Sequence, residues 1–172
     1  MPRPSDARVA VSDTSPLNYL IQLGCDQLLP LLFSRTLIPS AVMTELGHPA
    51  APAAVRRWQE FPPSWIDIAR PASTPDSRLL SLDAGEREAI QLYAERQTDI
   101  LIIDEIDGRA EAELRGMRVT GTLGILIEAG IAGYIDPEAA YSRLIRETSF
   151  RISSKLEAAF FFSLGQRRQR PV

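Results

Sequence analysis

Apolar residues along the chain switch between two spacings, and the changeovers mark a succession of strands and helices. Arg8 to Val11 is a short apolar, β-branched run closed by Ser12 and Asp13, which reads as a strand delivering Asp13 at its carboxyl end. Ser15-Pro16 then opens a helix, with Leu17, Leu20, Ile21 and Leu23 as its apolar face and Gly24 as its stop. Asp26 to Phe33 reads as a further helical piece and Thr36 to Ile38 as a second strand. Pro39-Ser40 opens a helix through Leu46, ended by Gly47, His48 and Pro49. Ala51 to Phe61 is predicted helical, Trp65 to Ile68 a third strand, and Ala69 to Ser77 a surface loop rich in Pro, Ser and Thr. Leu82 to Gln97 is a helix capped by Asp83, with Ile90, Tyr93 and Ala94 on one stripe. Ile100 to Ile103 is an all-apolar run, the pattern of a strand buried on both faces, and Asp104 closes it. A helix over Asp107 to Arg115, a strand over Met117 to Val119 and a helix over Thr122 to Ala129 follow. Two terminal helices, about Pro137 to Glu147 and Ser153 to Leu164, precede a basic tail.

Strands alternating with helices imply an α/β fold, a parallel and roughly five-stranded sheet sandwiched between helices, with two extra C-terminal helices. The 172 residues suit a single domain: a core over about 8–133, a helical extension over about 134–164 and a basic tail over 165–172. Function in such folds lies at the carboxyl ends of the strands, in the crevice where strand order reverses.

Composition narrows the chemistry mostly by exclusion. Met1 to Arg8 is polar and no run approaches the roughly 20 apolar residues of a membrane span, so a cytoplasmic protein is expected. The single cysteine, Cys25, can form neither an internal disulfide nor a Cys-based zinc site. A formal charge of -3 argues against coating nucleic acid by charge alone. With one histidine, His48, and one lysine, Lys155, against eighteen arginines, the chain has no phosphate-binding G-x-x-x-x-G-K-[ST] loop, no H-E-x-x-H and no Cys/His cluster. Metal held by oxygen ligands remains.

Asp13 ends the first strand, Asp104 ends the fourth, and Asp107 starts the next helix, which places three acids on one edge of the sheet. Carboxylates held together raise each other's pKa unless a cation neutralises them, and hard ions such as Mg²⁺ or Mn²⁺ prefer an oxygen-only shell. Glu45 stands on the carboxyl half of its short helix beside Val42 and Leu46. Glu86 shares a helix face with Ile90 and Ala94 and points toward the sheet. Each acid also has an ordinary reading: Asp13 and Asp104 as strand-end residues, Asp107 as a helix cap, Glu45 as a solvated helix acid, Glu86 as the partner of Asp83 in a capping box. Glu88, Glu95, Glu111 and Glu113 are expected to face water, Asp83 to act as a cap, and Asp99 and Glu105 to be outer groups at best.

Asp13-Thr14-Ser15 after an apolar strand, Pro39 to Glu45 as a strand-to-helix step ending in an acid, and Leu82 to Ile90 leading to Leu101-Ile102-Ile103-Asp104 together resemble the PIN-domain nucleases. The nearest likeness is a toxin-like subfamily with a Gly-Glu-x-Glu-Ala-Ile helix start, here Gly85 to Ile90, and a Val-x-Gly-Thr-Leu-Gly turn, here Val119 to Gly124. The resemblance covers about Val9 to Gly133 and implies that Asp13, Glu45, Glu86, Asp104 and Asp107 are the metal-binding, catalytic acids. Glu86 is a departure, since toxin-type members commonly have Asp there and the longer side chain moves the ligand by about one methylene. The resemblance further implies RNA cleavage with Mg²⁺ or Mn²⁺ and often a role as the toxin of a toxin-antitoxin pair, hence a cognate antitoxin; a homodimer is expected as well. The alternative is an interaction module that keeps the fold and has lost turnover. Thr122 is a candidate to hold a substrate phosphate on free backbone N–H groups, with helix capping as the plainer role. Arg109 and the tail Arg167, Arg168 and Arg170 are candidates to guide RNA, and Phe160 to Phe162 to form a partner surface or to pack on the core.

Overall fold

The structure, a computed structural model, describes residues 7–168. In chain order it runs β1 (Val9–Ser12), α1 (Thr14–Gln22), α2 (Leu28–Leu32), β2 (Arg35–Pro39), α3 (Ser40–Leu46), α4 (Ala53–Glu60), β3 (Ile66–Ala69), α5 (Ala84–Arg96), β4 (Ile100–Ile102), α6 (Ile106–Leu114), β5 (Val119–Thr120), α7 (Thr122–Ile131), α8 (Pro137–Glu147) and α9 (Ser154–Arg168). The strands form one parallel sheet in the order β3-β2-β1-β4-β5. This is the helix-sandwiched α/β architecture that the alternating pattern predicts.

Successive strand residues point to opposite faces, so each apolar run feeds two cores. Ala10, Ile38, Ile100 and Ile102 pack with α1, α2, α3, α7 and the C-terminal helices, through Leu17, Leu29, Phe33, Leu46, Ile125 and Leu144 among others. Val11, Leu37, Leu101 and Ile103 face the other way, onto Ile90, Leu92 and Ala112 of α5 and α6. A parallel sheet with both faces covered cannot slide by one residue without exchanging its two apolar sets.

Local chemistry explains where the observed elements depart from the pattern. The fifth strand forms at Val119–Thr120, two residues later than expected, because Gly116 takes a φ of 71° and Met117 returns its N–H to the Ala112 carbonyl at 3.0 Å to close α6. After the Pro-rich loop, Asp76 caps a short 3-10 turn over Ser77–Ser81 that buries Leu79, an element absent from the expected pattern. Glu88 and Glu95 do not simply face water: Glu88 accepts the Ala41 N–H at 2.9 Å and so caps α3, while Glu95 accepts the N–H groups of Ala72 and Ser73, each at 2.8 Å. Among the described residues no helix is long and apolar enough to cross a membrane.

Candidate functional site

From β1 the chain proceeds to β2 and β3 on one side, then returns to lay β4 and β5 on the other. The reversal lies between β1 and β4, whose carboxyl ends lead directly into Asp13 and Asp104.

Asp13 occupies the residue before α1, where an aspartate ordinarily caps the helix, yet its side chain makes no capping bond. It is 1% exposed, and its Oδ1 has no hydrogen-bond partner. The next two residues hold its neighbours. Thr14 donates to Glu45 Oε2, and Ser15 donates to Glu105 Oε1. Glu45 also accepts the Gly85 N–H at 2.9 Å, while Glu105 Oε2 is buried without a partner. One oxygen from each of Asp13, Glu45 and Asp83 lies within 4.8 Å of the other two.

Asp83 and Glu86 form a capping box at the start of α5: Asp83 accepts the Glu86 N–H at 2.8 Å and Glu86 accepts the Asp83 N–H at 3.1 Å. Asp83 is therefore both the expected cap and a member of the acid group, a placement the sequence did not reveal because the two roles share one signal. Glu105, set aside as an outer group, stands beside Asp13. Asp104 is held at 2.8 Å by the Thr122 N–H and at 2.6 Å by the Thr122 hydroxyl. The Thr122 N–H, a candidate for a substrate phosphate, is thus taken by Asp104, and Thr122 does not cap α7 either, whose N-cap is Gly121. Asp107 lies exposed in the first turn of α6, and its charge is felt at Glu86. Arg109 donates to the Ile103 carbonyl at 2.9 Å and lends Asp104 a compensating positive charge. The side chains of Arg167, Arg168 and Arg170 lie outside the described part of the molecule. Phe160 is buried and stacked on Tyr141 at 4.9 Å between ring centres, whereas Phe162 is exposed.

The backbone makes room for this crowding. A methyl group on Gly85 would lie 2.6 Å from Glu45 Oε2 and 3.0 Å from Asp13 Oδ1, so the glycine leaves the space in which the carboxylates meet.

Burial, then the neighbouring Glu105 carboxyl, raises the Asp13 pKa well above its ordinary value, against a weaker pull from the Thr14 N–H. Burial likewise raises Asp104, opposed by its two bonds from Thr122. Glu86 is raised by burial first, with Asp83, Glu105 and Asp107 adding to it against the Asp83 N–H. The amino ends of α1, α5, α6 and α7 all meet these acids, but an N-terminal dipole stabilises a carboxylate by only about 0.3–1 kcal/mol at a surface. A buried acceptor left unsatisfied costs about 1–3 kcal/mol. Asp13 Oδ1 and Glu105 Oε2 are two such oxygens, and Asp13, Glu45 and Asp83 are close enough that their carboxylates could hold one hard divalent cation.

A family model described as DUF3368: PIN domain matches residues 9–166, which include all five strands and every acid named above. No curated protein matches the chain significantly. With nearly its whole length matched, the chain belongs to the PIN-domain family.

Proposed function

We propose that this protein is a metal-dependent endoribonuclease, in which Asp13, Glu45, Glu86, Asp104 and Asp107, joined by Asp83 and Glu105, hold Mg²⁺ or Mn²⁺ and carry the hydrolysis of RNA phosphodiester bonds. PIN domains are generally nucleases, and the observation that carries the reading here is Asp13: a buried carboxylate at a helix start that declines to cap and leaves Oδ1 unpartnered. A bound divalent ion supplies an acidified water and charge compensation for the attacked phosphate. The chain's own part is positional. Thr14 and Gly85 fix Glu45, Ser15 fixes Glu105, and Thr122 locks both oxygens of Asp104. Asp107, exposed at the rim, is placed to meet a ligand arriving from solvent.

The test is incubation of purified protein with a pool of cellular RNAs and Mn²⁺, wild type beside Asp13→Asn. Wild type should cut and the variant should not, while both remain folded. Mn²⁺ should also raise the melting temperature of wild type alone. Equal cleavage by both proteins would refute the assignment of Asp13, and absence of both cleavage and a metal response would favour the non-catalytic interaction module. The toxin role rests on the resemblance, and it predicts that expression arrests growth of the host and that Asp13→Asn relieves the arrest.

A further inference from the structure

We infer that the cavity beside the acid cluster, walled by the connection from α8 into α9, receives one nucleotide of an unpaired strand next to the phosphate being cut. This assignment rests on the nuclease reading and names the part of the substrate that reaches beyond the scissile bond.

The cavity has a volume of about 630 Å³, within the roughly 300–1,000 Å³ of small-molecule sites. It shares Asp104 and Glu105 with the acid cluster, so a group seated in it is contiguous with the chemistry. Its apolar wall is made by Tyr19, Ile106, Phe150 and Leu156. The Tyr19 and Phe150 rings meet edge to face with centres 5.1 Å apart, a packed wall rather than loose side chains. Ile106 is 83% exposed and Leu156 is 49% exposed, so both offer apolar surface to a ligand seated in the cavity.

Two guanidiniums complete the lining. Arg109 donates to the Ile103 carbonyl at 2.9 Å, and Arg151 donates to the Phe150 carbonyl at 3.2 Å. Neither forms an ion pair with a described carboxylate, although the protein carries a net charge of -3. An arginine anchored to a main-chain carbonyl keeps donors for an anion. An apolar wall suits the face of a base, and Arg151, with Arg109 beside Asp104, suits a phosphate next to it. A base already paired and stacked in a duplex offers no free face, hence the unpaired strand. Because Phe150, Arg151 and Leu156 all belong to the C-terminal helical segment, that segment becomes part of substrate recognition.

The experiment uses Arg151→Ala and Leu156→Ser, the second of which removes apolar contact without changing charge. Two quantities are read for wild type and each variant: kcat and KM for cleavage of a single-stranded oligoribonucleotide with Mn²⁺, and binding of the four nucleoside 5′-monophosphates by calorimetry. Each variant is expected to raise KM by about fivefold or more with a smaller change in kcat, and to weaken monophosphate binding in parallel. Cleavage with an unchanged KM in both variants overturns the subsite and leaves the nuclease standing. Monophosphate binding that the variants weaken, in a wild-type protein that cuts no RNA, supports the cavity and refutes the nuclease. Neither cleavage nor monophosphate binding overturns both.

Discussion

Replacing Gly85 by alanine should separate stability from activity. A Cβ there would stand 2.6 Å from Glu45 Oε2, 2.8 Å from Thr14 Oγ1 and 3.0 Å from Asp13 Oδ1, where ordinary contact begins at 3.4 Å. Withdrawal of Glu45 by about 0.8 Å would weaken or break one of its two bonds, from the Thr14 hydroxyl or the Gly85 N–H. Losing one hydrogen bond to a charged group costs about 1.5–3 kcal/mol. Alanine in place of glycine in a helix returns about 0.5–1 kcal/mol. The net loss is about 0.5–2.5 kcal/mol, which for a chain of this size lowers Tm by about 1–10 °C. A displacement approaching 1 Å of a group that must be positioned for reaction costs about 100-fold in rate. Gly85→Ala should thus remain folded by circular dichroism, melt a few degrees early, and cleave RNA about 100-fold more slowly at saturating Mn²⁺. A folded variant that retains activity within about threefold of wild type would refute the claim that the carboxylates converge on the space this glycine leaves open.

Thr122→Val removes the hydroxyl bond to Asp104 inside the core and should lower unfolding free energy in urea by about 1.5–3 kcal/mol, with Thr122→Ser restoring most of it; equal stability of Val and Ser would show that the hydroxyl is not needed. Asp83→Ser keeps a competent helix cap while removing a charge, so the metal-free Tm should stay within a few degrees and the rise produced by Mn²⁺ should shrink. An undiminished rise would exclude Asp83 from the ion's surroundings. In chelator, Asp13, Glu86 and Asp104 retain protons in the folded state that the unfolded chain has released, since each pKa is raised. Their favourable contribution is complete below about pH 4 and is lost as pH rises through the elevated folded values. Asp76, Glu95 and Glu147 are shifted downward and act in the opposite sense, so the comparison is wild type against Asp13→Asn: the variant should lose less Tm between pH 4 and 8, and identical pH profiles would contradict a strained Asp13.

The frame was legible because burial on two faces leaves unbroken apolar runs, as at Ile100 to Ile103, and because a carboxylate directly after such a run has nowhere to go but the strand end. Asp13 and Asp104 were visible in that way. Asp83 was not, because a residue that caps a helix looks the same whether the helix points into solvent or into a site. Glu105 was hidden by adjacency: it follows Asp104 and precedes a helix, and no sequence spacing says that Ser15 reaches across to it. The partnership of Asp104 with Thr122 joins residues 18 apart through the pairing of β4 with β5, so the fate of that N–H required the register of the sheet. The late start of β5 turned on a single positive φ at Gly116, for which the sequence offers only permission.

Asp13, Thr14 and Ser15 are consecutive, and each points to a different part of the acid group: the first to its centre, the second to Glu45 arriving from β2 and α3, the third to Glu105 arriving from β4. One helical turn thereby spans the two walls of the acid group, alongside the sheet and the start of α5, whose Gly85 N–H also holds Glu45. A change that rotates the start of α1, even deep in its packing at Leu17 or Leu20, would shift both walls together in place of opening one, so distant core substitutions in this helix should register as altered ion preference before they register as unfolding.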